Sequence, residues 1–231
     1  MSEFPRRTLF PDPRTAPGDA PMAMGGGLSV AMLNEAYRCG IFPWFSPGQP
    51  ILWWSTDPRF VLIPSEVKIP RSLAKESRKP YWKVTFDQDF IGVIQGCAET
   101  QRADQDGTWI TPDMIAAYIE MHRAGLAHST ECWRDGELVG GCYGIGIGAA
   151  FYGESMFYRV PNASKVAFTA LTRRLQTSGY RIIDCQQETA HLARFGATKW
   201  PRSRFLDILE EAVQLPDHWP QAEKTGQEPS L

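Results

Sequence analysis

Excess positive charge is missing from this chain. Its 231 residues carry 24 Lys and Arg against 26 Asp and Glu, a formal net charge of −2. Proteins that grip long stretches of nucleic acid usually carry a basic surplus, so an extended duplex-binding surface is not expected. No C-x-x-C pair occurs among Cys39, Cys97, Cys132, Cys142 and Cys185, and their number is odd. That usage fits reduced thiols, mostly buried as small apolar residues. His122, His128, His191 and His218 form no H-E-x-x-H pattern, so neither a metal nor a cofactor is expected. No apolar run approaches the length of a membrane span. Prolines at positions 5, 11, 13, 17 and 21 leave no secretory apolar stretch. These absences point to a cytoplasmic protein.

What is present suits a packed globular chain. The hydrophobic fraction is 43%, enough to fill a core, and eight Trp and eighteen Pro are high for this length, the Trp fitting either an aromatic binding surface or ordinary packing. A Pro-rich arm over residues 1–24 gives way to Gly25, Gly26 and Gly27. Ser29 is placed to cap a short helix from Val30 to Cys39, and Gly40 to stop it. Short strands are expected over Ile51–Trp54 and Arg59–Ile63.

One stretch departs from the overall charge. Between Val67 and Lys83 stand six basic residues and one acidic residue. A helix over 71–79 would place Arg71, Lys75 and Arg78 on one face, which could neutralise phosphates or be an ordinary solvated surface.

From Tyr81 the spacing of apolar residues predicts β-α-α-β-β-β-α-β-α. Thr111-Pro112 opens a helix, and Asp135-Gly136 turns a hairpin. Asn162 or Ser164, and later Ser203, are candidate caps, and the tail after Leu215 reads as polar and loose. This succession resembles the acyl-CoA N-acyltransferase fold, an α+β domain whose mixed sheet splays open to admit an acyl donor.

Three segments could carry chemistry. Gly144, Gly146 and Gly148 alternate along one strand face, which admits either a ligand or tight packing. Glu154 sits among aromatic and apolar neighbours, as a surface or paired carboxylate or as one that holds a cation or moves a proton. Asp184 and Gln186, two apart on an expected strand, share a face. They read equally as a polar site or as a hydrogen-bonded structural pair. Acetyl-CoA enzymes of this fold carry a glycine-rich pyrophosphate loop. Here Val160-Pro-Asn-Ala-Ser-Lys165 offers no glycine, so a donor other than CoA is expected.

Seven segments in order resemble the bacterial leucyl/phenylalanyl-tRNA–protein transferase family. They are Gly40-Ile-Phe-Pro-Trp-Phe45, Trp53-Trp-Ser-Thr-Asp-Pro-Arg59, Gly107-Thr-Trp-Ile110, Ala127-His-Ser-Thr-Glu131, Gly153-Glu-Ser-Met-Phe157, Asn162-Ala-Ser-Lys165 and Ile183-Asp-Cys-Gln186. Thr56 and Cys142 depart from the family pattern.

The resemblance implies a small N-terminal α+β domain, here 1–60, and an acyltransferase-like domain, 61–231. It implies transfer of Leu or Phe, less well Met, from the aminoacyl-tRNA 3′ end to proteins beginning with Arg or Lys, marking them for N-end rule degradation. Trp44, Trp109, Phe151, Met156, Leu171 and Ile183 would form the aminoacyl-adenosine pocket. Asp184, Gln186 and Glu154 would be the catalytic group, with Gln186 orienting the amine, Asp184 fixing Gln186 and stabilising the developing ammonium, and Glu154 attracting a cationic acceptor. Arg71, Lys75 and Arg78 would contact tRNA phosphates. A monomer without cofactor, metal or membrane is expected.

Overall fold

A computed structural model describes residues 9–100, 109–217 and 219–220. The first eight residues of the Pro-rich arm, Gly107 and Thr108 of one motif, His218 and residues 221–231 lie outside them.

A small three-stranded antiparallel sheet comes first. It comprises β1 (Ala23–Met24), β2 (Phe42–Pro43) and β3 (Leu52–Trp54), ordered β1-β3-β2. Helix α1 (Val30–Arg38) stands beside it. Its N-terminus is capped by Ser29, whose Oγ accepts from the Met32 N–H at 3.3 Å, and Gly40 leaves it at φ 73, the left-handed region that glycine reaches cheaply. Leu33, Ala36 and Tyr37 turn inward.

The main sheet has seven strands. In chain order they are β4 (Arg59–Leu62), β5 (Lys83–Phe86), β6 (Ala127–Arg134), β7 (Glu137–Ile147), β8 (Ala150–Tyr158), β9 (Ile182–Asp184) and β10 (Thr198–Trp200). In space they run β10-β4-β9-β8-β7-β6-β5. The helices are α2 (Arg71–Glu76), α3 (Phe90–Glu99), α4 (Pro112–Arg123), α5 (Ala163–Thr177), α6 (Ala190–Arg194) and α7 (Arg202–Ala212). The sheet is therefore mixed, as the N-acyltransferase-like reading expected. All its pairings are antiparallel except β8 with β9. Parallel neighbours need a crossover, and α5 supplies it.

Each face of the sheet has its own core. One gathers α1, α3, α4 and α7 around Tyr143, Ile145, Tyr152 and Ile182. The other gathers α2 and α5 around Cys142, Phe151 and Ile183. Alternate strand residues feed opposite faces, which the two-residue period requires.

Several expectations are corrected. The strand β4 crosses residue 60 and pairs wholly within the main sheet. Strand β10, unforeseen, forms the outer edge beside β4. The basic helix ends at Glu76, so Arg78 lies in the turn beyond it. The last helix begins at Arg202 after Pro201, not at a Ser203 cap. The tail is not loose at Trp219, which is buried.

Candidate functional site: a cleft where two parallel strands part

Strands β8 and β9 pair for only three residues, ending at Tyr152 opposite Asp184. Beyond that point β8 continues to Tyr158 while the chain after Asp184 turns away. A cleft of about 1360 Å³ opens in the gap.

A bulge marks the same place. On β7, Tyr143 pairs with Ser155 and the next residue, Gly144, with Gly153, so Glu154 is an extra, unpaired residue on β8. Bulges re-aim side chains, and this one brings the Glu154 carboxylate to Tyr37 of α1 and Tyr118 of α4. Tyr37 donates to Oε1 at 2.8 Å and Tyr118 to Oε2 at 3.2 Å. The two phenols also touch each other, and the Gln186 amide donates to Oε1 at 3.3 Å. Tyr152 anchors the cluster by donating to the Tyr37 carbonyl at 2.5 Å.

Electrostatics fix which group can move a proton. Burial, then the nearby Glu154 charge, pushes both phenols well above their ordinary range, so they remain donors. Burial outweighs the phenols' hydrogen bonds at Glu154 and pushes it up to about 7, although the residue keeps some exposure to the cleft.

Asp184 does something different from what strand alternation suggested. It is fully buried and faces away from the cleft, gripping Arg59 through two hydrogen bonds of 2.8 and 2.6 Å. The Arg59 guanidinium lies between the Phe42 and Phe205 rings, 4.7 and 4.6 Å from their centroids. Asp184 therefore cannot reach an incoming amine. It fixes Gln186 through the backbone, accepting from the Gln186 N–H at 2.9 Å.

The strand stops at Asp184, and Gln186 adopts φ 51. Its carbonyl is held by the Phe60 N–H and the Thr56 hydroxyl, each at 3.3 Å. So Ile183, Cys185 and Gln186 all line the cleft, and Asp184 does not. Arg59, Tyr37 and Tyr118 had no site role in the sequence reading. Tyr37 and Tyr118 fall inside expected helices with nothing local to mark them, and nothing in one sequence pairs Arg59 with Asp184, 125 residues away.

Of the expected pocket residues, Trp44, Trp109, Met156, Leu171 and Ile183 line the cleft. Phe151 does not. It is fully buried beneath the cleft wall, packed on Trp219 and Tyr180 at 6.0 and 6.1 Å. The alternating glycines do not line it either, and packing fills their bare face. A Cβ on Gly144 would lie 2.1 Å from the Tyr152 carbonyl oxygen. On Gly146 it would meet Tyr180 and His128. Arg71, Lys75 and Arg78 are exposed and outside the cleft.

Trp44 and Trp54 pack at 5.4 Å, and the Trp54 indole N–H holds the Trp44 carbonyl at 2.7 Å, fixing an aromatic flank. The deeper wall is apolar, with Cys142, Met156, Phe168, Leu171 and Ile183. Burial pushes the Cys142 and Cys185 thiols far up, so neither is a nucleophile.

Comparison with known proteins places this geometry in a family. Residues 61–210 match the leucyl/phenylalanyl-tRNA protein transferase family, and residues 26–57 match its N-terminal domain. A leucyl/phenylalanyl-tRNA–protein transferase of Solidesulfovibrio magneticus is 53% identical over 88% of this chain and 83% of that protein. One from Myxococcus xanthus is 51% identical over 90% of this chain and 89% of its own length. Among solved structures, a GCN5-related N-acetyltransferase from Kribbella flavida aligns over 72% of this chain and 59% of its own, at 11% identity and TM-score 0.37. With half its residues shared along nearly the whole chain, this protein belongs to the leucyl/phenylalanyl-tRNA–protein transferase family of aminoacyltransferases.

Proposed function

We propose that the chain transfers leucine or phenylalanine, and methionine less well, from aminoacyl-tRNA to the α-amine of proteins beginning with Arg or Lys. Such products would enter N-end rule degradation in the cytoplasm. No helix among the described residues is long and apolar enough to cross a membrane. One observation carries the reading: an apolar slot ends at the Glu154 carboxylate and the Gln186 amide.

The donor's side chain would enter among Met156, Phe168, Leu171 and Ile183, where a polar side chain would lose water without gaining a partner. Trp44 and Trp109 would flank the terminal adenosine. An aminoacyl ester is already activated, so holding amine and ester together supplies much of the rate. The amine nitrogen attacks the ester carbonyl carbon. The bond to the ribose oxygen breaks, the amine loses a proton and the ribose oxygen gains one. Glu154 has a proton affinity suited to taking the first and returning the second. Gln186 positions the amine, and Arg59 and Asp184 position Gln186. A cationic first residue on the acceptor would favour ionised Glu154, its base form. The exposed face of α2, with Arg71 and Lys75 and with Arg78 just beyond, would contact phosphates of the tRNA body.

The test offers labelled Leu-tRNA and Phe-tRNA with peptides beginning Arg, Lys, Asp or Glu. Transfer to Arg and Lys peptides from both donors is expected. Transfer confined to Asp or Glu peptides would reverse the assigned acceptor.

A further inference from the structure

The cleft is not uniformly apolar. Asn162, Lys165, Phe168 and Leu171 stand three apart along α5 and all line it, so one helix stripe runs from a cation at the mouth to hydrocarbon in the depth. At 1.5 Å per residue, Lys165 and Leu171 are roughly 9 Å apart along the axis. That is about the span from an esterified side chain, across one ribose, to the next phosphate.

Short helix α6 closes on this stripe. The Phe168 ring meets Phe195 at 4.8 Å and His191 at 6.5 Å, and His191 and Arg194, one turn apart, line the cleft. Among the described residues neither Lys165 nor Arg194 has an ion-pair partner, and the buried His191 Nε2 has no hydrogen-bond partner. The acids on the same wall are engaged elsewhere, Glu99 with Arg159 at 3.4 Å and Glu188 with Lys199 at 2.6 Å. Burial, then Lys165 and Arg194, lowers the His191 pKa, so the imidazole sits within electrostatic reach of both cations and is itself favoured in its neutral form. Two cations without a counter-ion in a cleft wall focus a positive field that favours an arriving anion. The α5 N-terminus adds to the field: Asn162 caps it at φ 71 without a side-chain hydrogen bond to the helix. Beside the mouth, Tyr158 is 61% exposed, an aromatic face open to a base.

We propose that Lys165, His191 and Arg194 form an anion subsite at the cleft mouth that takes the internucleotide phosphate next to the donor's terminal adenosine. The proposal rests on the donor reading above. The subsite assigns a second nucleotide to the enzyme and explains how a chain without basic surplus holds a nucleic-acid end.

The experiment compares three donors: phenylalanyl-adenosine, cytidylyl-phenylalanyl-adenosine with one phosphodiester, and the same dinucleotide with a neutral methylphosphonate linkage. The wild type is expected to show a KM about tenfold lower for the phosphodiester than for the other two. Lys165→Gln with Arg194→Gln should erase that advantage while leaving phenylalanyl-adenosine transfer unchanged, which also shows that the variant is folded. An advantage that survives the substitutions, or that the methylphosphonate retains, overturns the subsite. So does equal loss on all three donors. Competition by coenzyme A that the substitutions relieve would assign the cations to an acyl-carrier pyrophosphate instead and likewise overturn it. Failure of the wild type on every donor would sink the donor reading itself, a distinguishable result.

Discussion

At the scale of single residues, Glu154 concentrates the chemistry because its environment opposes its charge. Its folded-state pKa near 7 stands above the ordinary 4.5, so the folded protein binds this proton more tightly than the unfolded chain. The associated stability is fully present below about pH 4.5 and is lost as pH rises through 7. Glu154→Gln keeps the side chain neutral at every pH. By chemical denaturation the variant should match the wild type in stability at about pH 4 and exceed it by about 1–3 kcal/mol at pH 8, the lower figure reflecting solvent contact through the cleft. Turnover should fall by roughly 10²–10⁴, the usual yield of a positioned base. The α-amine, with a pKa of about 7.7–8.0, titrates in the same direction. An acceptor whose amine stays neutral across the range separates the two. A wild-type profile without an inflection near pH 7, or a stability difference flat in pH, removes Glu154 from this role.

At the scale of elements, the site depends on where two strands part, and this was only partly legible in sequence. Apolar spacing gave the helix–strand succession from Tyr81, β10 excepted, because amphipathic periods are local. Residue numbers such as 154, 184 and 186 were legible as chemistry because polar groups interrupt apolar runs there. Their directions were not. Alternation put Asp184 and Gln186 on one face, but β9 ends at Asp184 and Gln186 turns to positive φ. The bulge at Glu154 is a register slip between two strands, which neither strand's own sequence specifies. The Arg59–Asp184 pair follows from β4 and β9 lying side by side. Breaking a buried pair strands a charge, so Arg59→Met should cost about 3–5 kcal/mol. Adding Asp184→Leu removes the stranded charge and should recover most of that loss. Turnover should not recover: without the carboxylate the Gln186 N–H loses its anchor, and a displacement near 1 Å costs roughly 10²-fold. Thermal melts beside single-turnover rates measure both. A doubly substituted enzyme working at the wild-type rate would show that Gln186 needs no such anchor.

At the scale of the whole molecule, the end of the described chain closes the structure over the face opposite α1 and α4. The tail after Leu215 is polar in composition, which suggested looseness, yet one aromatic residue outweighs its neighbours. Trp219 stacks on His128 at 4.1 Å and on Phe151 at 6.0 Å, and its indole N–H donates to Asp87 at 2.7 Å. Arg174 of α5 lies over its ring at 5.0 Å and donates to the Pro220 carbonyl at 2.9 Å. This plug ties β5, β6, β8 and α5 together from outside the sheet. It also backs Phe151, which explains why that ring supports the cleft wall instead of lining it. A large buried aromatic removed to alanine costs about 3–5 kcal/mol. For a chain of this length that is roughly a 6–20 °C fall in Tm. Trp219→Ala should therefore melt early while keeping wild-type KM and kcat well below its transition, since no Trp219 atom reaches the cleft. A shift below about 1 °C would mean that the tail does not hold this position in solution, and a changed KM with intact Tm would mean that Phe151 transmits its displacement into the donor pocket.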